Sequence, residues 1–218
     1  MKIFIVIPTY NESKHIKKVL EGVKKTGYDI VVVDDGSTDN TNAIAKPYAT
    51  VIKHKVNLGK GAAMKSGASY AFANGAEAVI FIDSDGQHNP DDISKFIEKL
   101  EKGKCEVVFG VRRIARDVPV IRGMGNRIGI VLVYLLFGIK VSDLLCGFRA
   151  ITQAAFKEII WSSTGYAVET EMVVRCAKRN LKHCSVTVQT IYLDGVKGVT
   201  ILDAFSIFFD VIKWRFSL

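Results

Sequence analysis

Short apolar runs recur along the first half of the chain and alternate with stretches of helical periodicity. The runs occupy residues 3–7, 30–33, 51–52, 78–82 and 107–111. Between them, apolar residues repeat every three to four positions, as at 16–23 and 93–100. This alternation predicts an α/β fold in which helices cover both faces of a mainly parallel sheet.

The alternation stops after Arg113, and two longer apolar segments follow. Residues 128–137, IGIVLVYLLF, are too short to cross a bilayer, so we expect either a buried core helix or a helix at a membrane interface. Residues 199–216 are predicted to form an amphipathic helix, whose wide apolar face must be covered by protein, a partner chain or lipid. Its polar residues share one narrow stripe: Asp203, Ser206, Asp210 and Lys213.

Composition indicates a globular protein and favours anionic partners. The 218 residues are 49% hydrophobic and 24% charged, which suits one α/β domain over residues 1–218. The net charge of +8 favours phosphates, nucleic acid or an acidic membrane surface, without choosing among them. The four cysteines lack a CxxC spacing, so we expect reduced, mostly buried thiols and neither a zinc site nor a disulfide. The first residues, MKIFIVIP, are typical of a strand and not of a secretory signal.

Carboxylates and arginines follow the predicted strands at their carboxyl ends, where ligands bind in sheets of this type. The strand ends have the sequences IPTYNE (7–12), VDDGSTDNT (33–41), DSDGQH (83–88) and GVRR (110–113). Asp83, Asp85 and Gln87 alternate along an extended segment, so their oxygens can converge on one divalent cation. The alternative is a solvated acidic turn, with Asn89 capping the next helix and Pro90 at its first position.

Two other segments carry weaker indications of a site. Asp34 and Asp35 could accept hydrogen bonds from a nucleoside, whereas Asp39 fits a helix cap. The sequence NLGKG (57–61) lacks the spacing of a P-loop or a dinucleotide-binding motif. Its glycines therefore indicate close packing, and Lys60 is a candidate neighbour of a phosphate.

Taken together, the motifs resemble glycosyltransferase family 2, the inverting enzymes of the GT-A fold. Within it they are similar to the dolichyl- or polyprenyl-phosphate mannose synthases and glucosyltransferases. The motifs that carry the resemblance occur in the family's order: IPTYNE, VVDDGSTDNT, NLGKGAA, the DxD motif DSDGQH, GVRR and SDLLCGFR. The resemblance covers residues 1–194, which it implies are the catalytic core, with the helix at about 199–216 lying at a membrane interface.

The resemblance implies roles for individual residues. Those that would hold the nucleotide sugar are Pro8, Tyr10, Glu12, Val33, Asp35, Asn57, Lys60, Asp83, Ser84, Asp85 and Arg112. Those that would bind Mg²⁺ or Mn²⁺ are Asp83, Asp85 and Gln87. Those that would receive the acceptor phosphate are Arg122, Asn126 and Arg127. Catalysis would depend on Asp85, Arg112 and Lys197.

One loop departs from the family pattern. Mannose synthases of this branch carry an Arg and a Lys in a late R-x-x-G-x-S-K-like loop, whereas this chain has LDGVKGVTI at 193–201. Lys197 would replace the phosphate-clamping Lys, but the Arg is missing. The donor therefore stays open between GDP-mannose and UDP-glucose or another UDP-sugar.

The scarcity of general bases fits a lipid phosphate acceptor. Such an acceptor is already an anion at neutral pH, and a metal ion with arginines can neutralise the leaving nucleoside diphosphate. His15 and His54 are expected at the surface, and only His88 lies near the site, as support for the acidic residues or as a turn residue. Glu169 and Glu171 either face the acceptor, as an acidic residue does in the family, or stabilise a helix N-terminus.

We therefore expect a metal-dependent inverting transferase that moves a hexose from a nucleotide sugar to dolichyl or polyprenyl phosphate. It would contact the cytoplasmic face of a membrane peripherally or lie in the cytoplasm, and it would not bind nucleic acid. The alternatives are a transferase of the same fold with a soluble or glycan acceptor, a sugar-nucleotide pyrophosphorylase and a non-catalytic membrane scaffold. Processive polysaccharide synthesis is disfavoured because a QxxRW motif is absent.

Overall fold

A computed structural model describes residues 1–112, 120–191 and 201–218, and the side chains in these ranges except at 120–124 and 201–204. The strands are β1 (Ile3–Thr9), β2 (Asp29–Asp34), β3 (Thr50–Lys53), β4 (Ala78–Phe81), β5 (Val107–Arg112), β6 (Arg149–Thr152) and β7 (His183–Val188). They form one sheet in the order β3-β2-β1-β4-β6-β5-β7. Only β6 among these runs antiparallel to its neighbours, β4 and β5. The predicted mainly parallel sheet is confirmed.

Helices follow most of the strands. They are α1 (Ile16–Lys24), α2 (Thr41–Ala45), α3 (Lys60–Ala73), α4 (Ile93–Glu101), α5 (Val120–Phe137), α6 (Gln153–Glu158), α7 (Val168–Lys178) and α8 (Ile201–Ser217). One turn of 3-10 helix, Pro90–Asp92, precedes α4, and the Asn89 side chain accepts a hydrogen bond from the Asp91 N–H. The predicted cap at Asn89 and Pro90 is thus confirmed.

The strands bury side chains on both faces of the sheet, as the continuous apolar runs predict. In β1, Val6 packs in one apolar cluster, whereas Ile5 and Ile7 pack in a second cluster on the opposite face. Met64 of α3 belongs to the first cluster and Phe96 of α4 to the second. The two layers of helices hold the sheet rigid and leave its carboxyl edge as the place where polar residues converge.

The expectation of reduced thiols is wrong for one pair of cysteines. Cys105 and Cys184 form a disulfide, with Cα atoms 5.8 Å apart. Cys105 lies just before β5, and Cys184 lies in β7, which pairs with β5 in parallel. A sequence separation of 79 hides this proximity. Cys146 and Cys176 are free and buried, as expected.

Helices α5 and α8 pack against each other and each presents an apolar face to solvent. Val133 of α5 and Trp214 of α8 are buried in the core. The exposed large apolar residues on the two helices are Ile128, Val131, Tyr134, Leu135, Phe205, Phe208, Phe209, Ile212 and Phe216. The apolar run at 128–137 is therefore only half buried. Among the described residues, no helix has the length and apolarity needed to cross a membrane.

Candidate active site

The predicted nucleoside residues lie where β1 and β2 end side by side. Pro8 of β1 faces Val33 of β2 in the parallel register, and both are buried. The Asp35 N–H continues the pairing by donating to the Thr9 carbonyl at 2.8 Å. Tyr10 follows with an exposed side chain. The sheet register alone therefore brings four of these predicted positions to one edge.

The Asp35 carboxylate is buried and already accepts several hydrogen bonds. Its oxygens accept the backbone N–H groups of Leu58 and Gly59 at 2.9 and 2.7 Å, and the His54 ring nitrogen lies 2.7 Å away. His54 in turn contacts the Ser66 hydroxyl at 3.0 Å. The expectation that His54 is a surface residue is wrong, because its side chain is only 10% exposed. Asp35 thus fixes the loop before α3, whatever it offers to a ligand.

Two other residues predicted to hold the nucleotide sugar, Glu12 and Asn57, lie on loops around this edge. The Glu12 N–H donates to the Thr41 hydroxyl at 2.8 Å, and the Glu12 carboxylate meets His15 at 2.8 Å. Asn57 is exposed. Gly36 touches this loop so closely that a Cβ at position 36 would lie 2.8 Å from the Asn57 nitrogen, and its φ of +77° also favours glycine.

Lys60 joins two carboxylates at the centre of the edge, the partly buried Asp83 and the buried Glu169. Its ammonium nitrogen lies 2.6 Å from Asp83 and 2.6 Å from Glu169, at the start of α7. Burial would raise the pKa of Asp83, but the charge of Lys60 holds that pKa well below its ordinary value. Burial would lower the pKa of Lys60, but the two carboxylates raise it. Lys60 therefore neutralises Asp83 from within the protein.

The start of α3 is closed off by the loop that precedes α7. The N–H groups of Gly61 and Ala62 donate to the Thr164 carbonyl, and a Cβ at Gly59 would clash with Thr164. Glu171 holds this loop by accepting the N–H groups of Ser162 and Ser163. The glycines of NLGKG thus serve close packing, as predicted, and these two N–H groups are not open to a phosphate.

Asp85 lies beside this cluster without a cationic partner among the described residues. Its carboxylate accepts the Gln87 backbone N–H and the Gln87 side-chain N–H, both at 2.9 Å. Burial and the neighbouring charge of Asp83 raise the pKa of Asp85. Within the described ranges, no three His, Cys, Asp or Glu side chains form a metal site by themselves. A hard divalent cation still fits Asp85, because it would relieve this unbalanced charge.

His88 supports Asp83 from below the site. Its Nε2 lies 3.4 Å from the Asp83 carboxylate, its ring rests against Phe148 at 5.3 Å, and the residue is 5% exposed. His88 also pairs with Thr190 in an antiparallel bridge. The supporting role is therefore favoured over a solvent-exposed turn. Ser84, between the two aspartates, is buried.

Arg112, the last residue of β5, is clamped by a carboxylate that carried no assigned role in the sequence. Asp143 accepts Arg112 Nε–H at 2.7 Å and Nη2–H at 2.9 Å. The Asn126 side chain of α5 donates to the same carboxylate at 3.1 Å, and Asn126 accepts the Leu144 N–H at 3.1 Å. Burial would raise the pKa of Asp143, but Arg112 lowers it. A predicted donor residue and a predicted acceptor residue thus share one partner.

The rest of SDLLCGFR supports the site from behind. Arg149 is fully buried and donates hydrogen bonds to the carbonyls of Cys146, Leu144 and Glu169. Gly147 backs directly onto Asp83, because a Cβ at position 147 would lie 2.6 Å from the Asp83 Oδ1 atom. The segment therefore sets the position of Asp83.

Three predicted residues are not brought into this arrangement. Arg127 is exposed on α5. Lys197 lies outside the described residues, as does the side chain of Arg122. Sequence reasoning gave no role to Asp143 and did not pair Lys60 with Glu169. The sequence signal that could have identified Asp143 is a charged residue beside an apolar segment, as in SDLLCGFR.

Comparison with known proteins gives one family and one fold. A family model described as Glycosyl transferase family 2 matches residues 4–160. A UDP-N-acetylglucosamine–dolichyl-phosphate N-acetylglucosaminyltransferase of Methanococcus voltae is 32% identical over 98% of this chain and 96% of its own length. A polyprenol monophosphomannose synthase of Mycolicibacterium smegmatis is 25% identical over 96% of this chain and 85% of its own. Glucosyl-3-phosphoglycerate synthase from Mycobacterium tuberculosis, solved with Mn²⁺, UDP and phosphoglyceric acid, superposes with a TM-score of 0.80 and 20% identity over 99% of this chain and 78% of its own.

Proposed function

This chain belongs to glycosyltransferase family 2 and has the GT-A fold, and from that premise we propose that it moves a hexose from a nucleotide sugar to dolichyl or polyprenyl phosphate. The names of its relatives share a lipid phosphate acceptor but differ in sugar, which is N-acetylglucosamine in one and mannose in another. The acceptor class is therefore better supported than the donor. GDP-mannose and UDP-sugars both remain in the proposal.

The observation that carries the lipid acceptor is the exposed apolar surface of α5 and α8, next to the exposed cation Arg127 on α5. Leu135 is 73% exposed and Phe209 is 65% exposed, on helices that contact each other. Arg127, exposed on the same helix as Leu135, supplies positive charge nearby. A prenyl chain resting on such a surface would bring its phosphate toward the end of β5.

On the donor side, we propose that the nucleoside lies across the ends of β1 and β2, with its diphosphate near Asp85 and Arg112. The proposed nucleoside contacts are Pro8, Tyr10, Glu12, Val33 and Asp35. A divalent cation, Mg²⁺ or Mn²⁺, held by Asp85 with Gln87 would neutralise charge on the leaving diphosphate. The Gln87 side-chain N–H donates to Asp85, so Gln87 would have to turn its amide oxygen toward the cation to act as a ligand.

The proposed chemistry needs positioning and charge neutralisation more than proton removal. The acceptor phosphate is an anion at neutral pH and can attack the anomeric carbon directly. Arg112 would stabilise the departing diphosphate, and its orientation is already fixed by Asp143. Lys197 stays in the proposal as a phosphate clamp. Glu169 is engaged by Lys60, which argues against it as a free base.

We further propose one domain over residues 1–218, with a catalytic core up to about residue 194 and a C-terminal helix that lies on the membrane. This places the protein peripherally at the cytoplasmic face, where nucleotide sugars are available. The support is the exposed row of apolar side chains on α8, with Phe216 87% exposed near its end.

The test is a transfer assay with a panel of labelled nucleotide sugars, a polyprenyl phosphate and Mn²⁺, followed by lipid extraction. Label in the lipid phase that disappears with a chelator supports the proposal, and the most efficient donor identifies the sugar. A parallel reaction offers phosphoglycerate, the acceptor type of the structural neighbour, in place of the lipid. Transfer to that soluble acceptor alone would refute the lipid acceptor while keeping the transferase.

A further inference from the structure

We infer that Asp143 is a positioning residue that couples the donor and acceptor sides of the site. This rests on the proposed function, because Arg112 is the proposed donor-phosphate residue and Asn126 lies on the proposed acceptor side. One buried carboxylate, 4% exposed, holds both side chains.

The contacts fix which part of Arg112 can meet a ligand. A guanidinium carries five N–H groups, and Asp143 takes one on Nε and one on Nη2. The planar fork therefore cannot rotate without breaking two charge-assisted bonds. The remaining N–H groups, on a side chain 35% exposed, are presented in one direction. Asp143 thus orients Arg112 before any phosphate arrives.

The same carboxylate fixes the position of α5. Its Oδ1 atom accepts the Asn126 side-chain N–H at 3.1 Å and the Leu145 N–H at 3.0 Å. Asn126 accepts the Leu144 N–H in return. Two reciprocal hydrogen bonds therefore hold α5 against the loop 143–145. They also set the position of the Arg127 backbone, because Arg127 follows Asn126 directly. The distance between donor arginine and acceptor helix is set through Asp143.

A simpler view is that Asp143 only neutralises Arg112 and stabilises the fold. That view predicts that removing its charge lowers stability and leaves the two substrates independent. Coupling predicts something else: the effects of Asp143 and Arg112 on donor use should not multiply, because both act through one orientation. It also predicts that altering Asp143 disturbs the acceptor, which altering Arg112 does not.

The experiment is a double-mutant cycle with Asp143→Asn and Arg112→Ala, measured as kcat/KM for the donor. Each single variant should lose roughly 10- to 100-fold, as misplacement of a catalytic group by about 1 Å does. The double variant should match Arg112→Ala within about threefold. Asp143→Asn alone should also raise the KM for the acceptor. Arg112→Lys, which keeps the charge without the fork, replaces Arg112→Ala if that variant does not fold.

The matched control is Asp92→Asn. Asp92 is also buried, accepts the Gln189 N–H at 2.7 Å and pairs with Lys95, and these partners are separate from Arg112 and Asn126. Its effects should multiply with those of Arg112→Ala. Multiplying effects for Asp143→Asn, or an unchanged acceptor KM at equal melting temperature, would overturn the inference.

Failure of the proposed function gives a different result. If the wild-type protein labels no lipid with any donor, the same cycle is measured as affinity for UDP and GDP with Mn²⁺ by calorimetry. Non-multiplying effects there would support the orientation of Arg112 by Asp143 while the lipid acceptor is lost. Multiplying effects there would overturn the inference as well.

Discussion

Replacing Gly147 by Ala should damage the site through a single added methyl group. A Cβ at position 147 would lie 2.6 Å from Asp83 Oδ1 and 2.7 Å from its Cγ. The other carboxylate oxygen, Oδ2, would lie closer still. A carbon–oxygen contact needs about 3.3 Å, so the carboxylate or the loop must move by at least about 0.7 Å. Asp83 cannot yield freely, because Lys60 holds it at 2.6 Å in a partly buried ion pair.

The magnitude follows from overpacking in a buried site, about 1–3 kcal/mol of unfolding free energy. For a domain of this size, each kcal/mol lowers the melting temperature by roughly 2–4 °C. Transfer activity should fall by more than the loss of folded protein explains, because the displaced carboxylate also changes the surroundings of Asp85. Calorimetry and the lipid-labelling assay measure the two effects.

The control for this change is Gly165→Ala. Gly165 has open space around its would-be Cβ, so that variant should keep both stability and activity. If Gly147→Ala is as stable and as active as Gly165→Ala, the tight contact with Asp83 does not exist in the working enzyme.

Three other changes test the donor and membrane sides. Asp85→Asn should abolish Mn²⁺-dependent nucleotide binding in calorimetry, yet it should stabilise the metal-free protein. Because the pKa of Asp85 is raised in the folded protein, its charge costs no stability below pH 3.8 and destabilises the fold progressively as pH rises through that raised pKa. A stabilisation that is equal at pH 3 and pH 7 would contradict this prediction. Asp35→Ala should weaken the binding of free nucleoside diphosphate and of the intact donor alike. It should also cost about 1–3 kcal/mol of stability, since two backbone N–H groups lose their acceptor. A loss of affinity confined to the intact donor would contradict the assignment of Asp35 to the nucleoside. Arg127→Ala should raise the KM for polyprenyl phosphate and leave nucleotide affinity unchanged. It should also weaken flotation with anionic liposomes, because that flotation depends on a charge attraction that salt screens over about 10 Å at 0.1 M. Wild-type protein that does not float at low salt would contradict the membrane contact.

The strand ends of the site could be predicted because each follows from local sequence. An apolar run that stops at Asp83 must place that residue at the sheet edge, and the cap at Asn89 and Pro90 is a local pattern too. Strand β6 was missed because it is only four residues long and opens with Arg149, a charge that is typical of neither a buried strand nor a core. The burial of Arg149 depends on three carbonyl groups, two in the preceding loop (Cys146 and Leu144) and one at the start of α7 (Glu169).

Partners of buried charges could not be predicted, since they are set by packing between distant segments. The sequence predicts that His54 is a surface residue, but the sheet brings its ring against Asp35. Cys105 and Cys184 read as separate thiols, but the pairing of β5 with β7 joins them. In each case the residue type was visible and its neighbour was not.

The doubled aspartates of DSDGQH show what this difference means for function. In sequence, Asp83 and Asp85 are equivalent carboxylates that repel each other. In the fold, Asp83 is neutralised by Lys60 and supported by His88, so its charge serves to hold α3, β4 and α7 together. Asp85 forms no such ion pair among the described residues, and its pKa is raised by burial and by the neighbouring charge of Asp83. A cation that arrives with a diphosphate would therefore gain most from Asp85, which makes Asp85 the stronger metal ligand of the two aspartates.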